Sequence, residues 1–269
     1  MEERETPDDL DERWRTDLAG WGIPAEIAAA ARSDPWEHSP ARFGERTDRA
    51  LAVPEGPTLL RAAEALPPGG SVLDVGAGTG AASLPLARLG GLIAVDTSAA
   101  MLAELEVRAG RLGVPVRPVL GRWPDVAGET PPADVAVAAH VVYNVPDLSA
   151  FLAALTAHAR HRVVLELTHR HPMSWLSPLW AHFHGLVRPT RPTADDVAAL
   201  ARRLGYGVRQ EERPAPLPRF PSLEAMAESA CRRLCLDPAR AEEVVAAAVE
   251  LDMWPVLRDR WVTLWWDTA

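Results

Sequence analysis

The sequence predicts an α/β fold, and three observations carry that prediction. Val72–Val75 is a short apolar, β-branched run that meets glycines at 76, 78 and 80 just where an Ala- and Leu-rich segment begins. A second apolar run, Leu92–Val95, closes on Asp96. Further apolar runs at 133–139 and 161–167 alternate with helical patterns at 99–112 and 148–160, the strand–helix rhythm of an α/β sheet. At 269 residues the chain has room for one large core with insertions.

Taken in order, the chain begins acidic. Seven acids against Arg4 within residues 1–12 supply −6 of the net −9, so the remaining body is nearly neutral. Leu10, Trp14, Leu18, Trp21 and Ile27 fall at mostly helical spacing, broken at 20–24, which predicts two short helices after a frayed start. Residues 34–40 read as a proline-bounded link, and 42–47 show no clean period. Thr58–Leu66 carries Leu59, Leu60, Ala63 and Leu66 as a helix stopped by Pro67-Pro68-Gly69-Gly70.

The segment 71–101 reads strand, glycine turn, helix, strand. Glycines remove the Cβ atoms that would block a ligand, and a helix N-terminus offers unpaired NH groups. Asp96, twenty residues beyond Gly76, suits a carboxylate that accepts both ribose hydroxyls. This is the pattern of an adenosine site. Gly76-Ala77-Gly78-Thr79-Gly80-Ala81 also satisfies a dinucleotide pattern, but Asp74 would repel a pyrophosphate and attract an aminoacyl ammonium. That favours S-adenosyl-L-methionine.

Val-Leu-Asp-Val-Gly-Ala-Gly-Thr-Gly (72–80) and Ala-Val-Asp-Thr-Ser-Ala-Ala-Met-Leu (94–102) closely resemble the first two motifs of class I S-adenosylmethionine-dependent methyltransferases. The resemblance implies a three-layer Rossmann-like methyltransferase fold, with a mostly parallel sheet, an antiparallel last strand and helical cap insertions. It divides the chain into an N-terminal helical lid (1–57), a cofactor-binding core (58–168) and a segment that completes the core with substrate-cap insertions (169–269). The cofactor contacts it implies are Asp74, Gly76, Ala77, Gly78 and Gly80, then Asp96, Thr97 and Met101. Many relatives place an acid after the glycine that follows the third strand; here Arg122 stands there. Trp123 is offered either for stacking on the adenine or for the core, and Asp125 for the missing acid.

Beyond Asp96 the readings are a helix at 99–112, a third strand at 114–120 near a sheet edge because of its prolines, and a small, apolar fourth strand at 133–139. His140, Tyr143 and Asn144 leave the carboxyl end of that strand, where ligands of open parallel sheets bind. The resemblance places this loop beside the reactive methyl group. His140 is therefore the first candidate base and a cofactor neighbour, with Glu166 and His169 behind it and Tyr143 orienting the acceptor. Asp147 is expected to cap the helix 148–160, which leads into a fifth strand at 161–167.

No acid occurs from Leu167 through Ala194, whereas His169, His171, Trp175, Trp180, His182, Phe183, His184, Arg188 and Arg191 crowd there. Two His-x-His pairs raise a metal site, but one-residue spacing aligns partners only in a strand and no carboxylate accompanies them. The preferred reading is an aromatic and cationic substrate wall, without metal. A helix at 194–204, a sixth strand at 206–212, a proline-rich linker at 213–221, a helical pair at 223–234 and 239–251 and a last strand at 260–266 complete the chain. Cys231 and Cys235, the only cysteines, read as small buried hydrophobes.

Every one of the 28 basic residues is Arg. The absence of Lys excludes a Schiff-base enzyme, a Walker phosphate loop and a tyrosine–lysine dehydrogenase pair. No run approaches the roughly 20 apolar residues that span a bilayer, and no basic cluster interleaved with aromatics points to nucleic acid. The expectation is a cytoplasmic methyltransferase acting on a small-molecule acceptor at O or N. Its competitors are an RNA or protein methyltransferase, an NAD-dependent oxidoreductase and a non-catalytic cofactor-binding relative; the acceptor and oligomeric state stay open.

Overall fold

The computed structural model describes residues 5–36, 40–87, 90–215, 219–256 and 259–268. The first acids of the N-terminal segment, Glu37-His38-Ser39 of the proline-bounded link and 216–218 of the proline-rich piece lie outside the described residues.

In chain order the elements are α1 (Pro7–Ala19), α2 (Ala25–Ala28), α3 (Pro40–Ala52), α4 (Pro57–Ala65), β1 (Val72–Val75), α5 (Leu84–Ala87), β2 (Leu92–Asp96), α6 (Ala99–Leu112) and β3 (Val116–Leu120). Then follow β4 (Ala133–Ala139), α7 (Leu148–Ala157), β5 (Ala159–Thr168), α8 (Ser177–His184), α9 (Ala194–Arg203), β6 (Arg209–Arg213), α10 (Leu223–Arg233), α11 (Ala241–Glu250) and β7 (Trp261–Asp267). The strands form one seven-stranded sheet in the order β3-β2-β1-β4-β5-β7-β6. Neighbours from β3 to β5 pair in parallel, and β7 runs antiparallel to both β5 and β6. This is the Rossmann-like methyltransferase fold with an antiparallel last strand.

Alternate residues of the strands serve opposite faces, as pleating requires. Leu73, Val75, Ile93, Val95, Ala136 and Val163 pack with α7, α9 and Trp14 of α1 on one face. Val72, Leu92, Ala94, Val135 and Val137 pack with α4, α5 and α6 on the other. A third apolar cluster joins α8, α10 and α11 around Trp180, Met226 and Val244 as a cap with its own core.

Several expectations change in detail. Pro7 opens α1 and Thr6 and Asp9 form a reciprocal capping box, so the described acidic start is a capped helix instead of a frayed end. Residues 42–47, which show no clean period by themselves, lie within helix α3, whose buried side carries Gly44 and the polar Thr47. The segment after the glycines runs through turns before a single helical turn at Leu84. Asp147 makes no capping bond to α7; its carboxylate takes Arg15 at 2.8 Å. Pro118 is tolerated because β3 is an edge strand.

Candidate active site

β1, β2 and β4 are parallel neighbours, so Gly76, Asp96 and His140 all leave the same carboxyl edge of the sheet. Asp74, one layer below, is 1% exposed, and neither carboxylate oxygen has a hydrogen-bond partner among the described residues. Burial pushes its carboxyl up to about 7; the nearby Ser83 hydroxyl opposes the rise and Asp96 adds to it. A buried, unpartnered acid is costly unless a ligand supplies donors.

The glycine turn is built for close approach. Gly76 has φ 70°, and a Cβ there would sit 2.2 Å from Val141 Cγ2, so no other residue fits. Its NH groups are not aimed outward. Those of Gly76 and Ala77 donate to the Val95 carbonyl, Gly80 N–H donates to Ala77 O, and Gly78 N–H donates to Asp96 Oδ2 at 2.8 Å. With those four groups spent internally and the next described helix starting only at Leu84, no helix N-terminus adjoins the glycines, as a pyrophosphate site would favour.

Asp96 also accepts from Ser98 N–H at 2.8 Å through Oδ1, which locks the end of β2 to the glycine turn and leaves each oxygen a further lone pair. Thr97 is exposed, and Met101 is buried in the first turn of α6. Helix α3 closes over the turn: Phe43 lies beside Gly78, and Thr47 Oγ1 meets Thr79 Oγ1 at 2.7 Å. Arg122 is exposed, whereas Trp123 is buried in the sheet core, edge-on to His158 at 4.9 Å. Its ring therefore serves packing.

At the end of β4, His140 takes φ 59°, a strained conformation for a residue with a Cβ, and its N–H donates to Glu166 O. The turn brings His140 Nε2 to 3.1 Å from Glu166 Oε1 and sets the ring edge-on to Trp261 at 5.0 Å. Glu166 is buried, accepts from Thr58 Oγ1 at 2.7 Å, and lies 3.8 Å from Arg46 and 3.6 Å from Arg213. Burial alone would raise its carboxyl, but the hydrogen bond and charge of His140, the Thr58 hydroxyl and Arg46 outweigh that and hold it at about 2. So firm a carboxylate is a poor proton acceptor and a good anchor for an imidazole.

The other acceptor-side residues separate. Tyr143 is buried, and its hydroxyl donates to the carbonyls of Thr168 and His169 at 2.8 and 2.9 Å, so it fastens the β4 loop to the end of β5. His169 pairs with Asp195 of α9 at 3.2 Å. His171 stacks on Trp21 at 4.1 Å, and burial, with Arg188 adding, pushes its imidazole down to about 3. His182 is exposed, and His184 faces the Leu234 carbonyl. Among the described residues no group of three His, Cys, Asp or Glu is placed to hold a metal. Trp175, Trp180 and Phe183 pack within the cap, Arg188 lies over Trp180, and Arg191 pairs with Asp17 and Asp196. The residues that sequence reasoning passed over are Phe43, Arg46, Thr47, Thr58, Arg213 and Trp261. Arg213 and Trp261 are register partners at strand ends on the carboxyl edge, a relation visible only once β6 and β7 are paired.

Comparison with known proteins agrees with this geometry. Residues 72–162 match the model of a methyltransferase domain family. The ubiquinone biosynthesis O-methyltransferase of Paramagnetospirillum magneticum is 30% identical over 190 residues, covering 64% of this chain and 68% of that one. The protein-L-isoaspartate O-methyltransferase of Methylorubrum populi is 36% identical over 110 residues, 39% of this chain and 49% of its own length. The crystal structure of the YcgJ protein from Bacillus subtilis shares the fold with a TM-score of 0.55 at 14% identity, over 78% of this chain and 97% of that one. No described helix is long and apolar enough to cross a membrane. The unpartnered Asp74, the outward-bare glycine turn and Asp96 suit the amino-acid and ribose parts of S-adenosyl-L-methionine, and the chain belongs to the class I S-adenosylmethionine-dependent methyltransferases.

Proposed function

We propose that the protein methylates an oxygen or nitrogen of a small-molecule acceptor, with His140 as the base and Glu166 as its positioning residue. The observation that carries this reading is the His140–Glu166 pair at 3.1 Å on the carboxyl edge of the sheet. Among the relatives, the one that the chain matches over about two thirds of its length is an O-methyltransferase of ubiquinone biosynthesis, whereas the match to the protein-directed enzyme spans half. That difference favours a small acceptor over a protein.

Asp74, Gly76, Ala77, Gly78, Gly80 and Asp96 would hold the cofactor, with Thr97 and Met101 flanking its ribose side and α3 as the cover. When bound, S-adenosylmethionine supplies an electrophilic methyl group and its own thioether leaving group. The Glu166 carboxylate, 3.1 Å from Nε2, favours a proton on that nitrogen and so leaves Nδ1 as the basic one, and its fixed charge stabilises the imidazolium once the acceptor's proton has arrived. Trp261, edge-on to His140, limits water beside that proton transfer. Tyr143 and His169 act on this arrangement only through the backbone that they fasten.

Calorimetric titration with S-adenosylhomocysteine and with NAD tests the cofactor half; binding of NAD alone would overturn it. A radiolabelled-methyl assay against small phenols, amines, bulk RNA and cell protein tests the acceptor half. His140→Ala should lower turnover on the acceptor found by about 10²–10⁴-fold while S-adenosylhomocysteine binds as before. Label in RNA or protein alone would replace the small acceptor, and unchanged turnover would remove His140 from the chemistry.

A further inference from the structure

Two guanidinium groups share one carboxylate beside His140. Arg46 reaches Glu166 from α3 and Arg213 reaches it from the end of β6, at 3.8 and 3.6 Å. Both lie over the indole of Trp261, 5.3 and 4.5 Å from its ring centre. Among the described residues neither has a second acid within 4.0 Å, because the acids nearest along β6 are taken elsewhere, Glu211 by Arg61 and Glu212 by Arg260. Glu166 is itself heavily subscribed, since it also holds His140 and Thr58. Arg213 Nε is buried without a hydrogen-bond partner.

One anion against two permanent cations leaves a fixed positive charge, on side chains still 38% and 25% exposed. An aromatic face offsets part of the desolvation of a guanidinium but satisfies none of its N–H donors. What is missing is one more planar, singly charged acceptor of hydrogen bonds. A carboxylate matches the guanidinium fork and balances the charge, whereas a phosphate dianion would overshoot it next to Glu166.

We propose that Arg46 and Arg213, set against Trp261, form a subsite for one ligand carboxylate next to His140. The inference rests on the proposed function in taking this edge as the site of methyl transfer. Two ligands there can bring a carboxylate: the acceptor, and the amino-acid end of S-adenosylmethionine. Arg213, which reaches across β7 from the far edge strand, favours the acceptor.

Calorimetry on the full chain separates the two. S-adenosylhomocysteine and 5′-methylthioadenosine, which lacks the amino-acid end, are titrated into the wild type, Arg46→Gln and Arg213→Gln. The S-adenosylhomocysteine-loaded proteins are then titrated with benzoate and hexanoate, with their amides, and with phenyl phosphate. If the carboxylate is the acceptor's, loaded wild type prefers each acid to its amide, and Arg213→Gln removes about tenfold or more of that preference without changing S-adenosylhomocysteine affinity. If it is the cofactor's, the variants lose about tenfold or more on S-adenosylhomocysteine and nothing on 5′-methylthioadenosine; the subsite then stands with the other occupant. Arg213→Lys, which keeps the charge without the fork, should fall between wild type and Arg213→Gln, and it replaces that variant if the latter does not fold. The subsite is overturned if acids and amides bind alike and both variants leave every affinity unchanged, or if phenyl phosphate is preferred to benzoate. Wild type that fails to bind S-adenosylhomocysteine at all would instead overturn the proposed function beneath it.

Discussion

Asp74 is buried with neither oxygen hydrogen-bonded among the described residues, and that burial, opposed only in part by the nearby Ser83 hydroxyl, pushes its carboxyl from the ordinary 3.8 up to about 7. The folded state therefore binds this proton more tightly than the unfolded chain. Between about pH 4 and 7 the unfolded chain has released the proton while the folded protein keeps it, so stability falls as pH rises through that window and levels off above it. Asp74→Asn lacks this dependence. Urea unfolding of the two proteins should show the variant gaining on wild type by on the order of 3 kcal/mol between pH 5 and pH 8; a gap independent of pH would mean that Asp74 is solvated in the folded state. The same substitution should weaken S-adenosylhomocysteine, because an amide cannot neutralise an ammonium. That Asp74 and Asp96 lie beside the glycine turn was legible in the sequence, because that placement follows from local spacing. Glu166 was visible only as a candidate base: its identity showed in the sequence, but not Thr58, Arg46 and Arg213, which arrive from three distant segments and turn it into a fixed anion.

Among the elements, α1 appears where its spacing predicts a helix, whereas α3 was not read as one. Residues 7–19 have a helical period, but nothing in it says what the apolar side meets. The structure buries Trp14 to 2% exposure, with its indole N–H donating to Val145 O at 2.8 Å and its ring stacked on Tyr143. Helix α1 is thus joined to the loop that carries His140. Trp14→Ala should cost about 3–5 kcal/mol, read as a lower urea midpoint with little change in slope; a loss below about 1 kcal/mol would make α1 a loosely attached cover. Helix α3 sends Arg46 and Thr47 to polar partners, Glu166 and Thr79, which no local pattern names. The strands of the parallel core were readable for the converse reason, since their runs are buried on both faces.

For the whole molecule, the His- and Trp-rich stretch that looked like a substrate wall turns out to join the cap to the N-terminal segment. Arg188 is 9% exposed, lies over Trp21 and Trp180 at 5.4 and 5.0 Å, and donates to the carbonyls of Trp21 and Gly22. Aromatic and basic residues without acids read equally well as a ligand wall or as a guanidinium bedded between rings, and composition does not distinguish them. Arg188→Ala should lower stability by roughly 2–4 kcal/mol and raise amide exchange in α8 and α10 before the sheet. Equal protection in variant and wild type would show that the cap is held by its apolar core alone.

The position of β7 has a consequence for how the chain is made. Trp261–Asp267 is wedged between β5 and β6 and pairs with both. As the polypeptide leaves the ribosome, β1 to β5 can assemble while β6 has no neighbour and the outer edge of β5, with Val163 and Leu165, stays open until residues 261–267 emerge. That interval leaves an apolar strand edge exposed to other nascent chains. A stalled or clipped product lacking the last strand would keep that edge, along with an unsupported Arg213, and would be a natural client for chaperones and proteases.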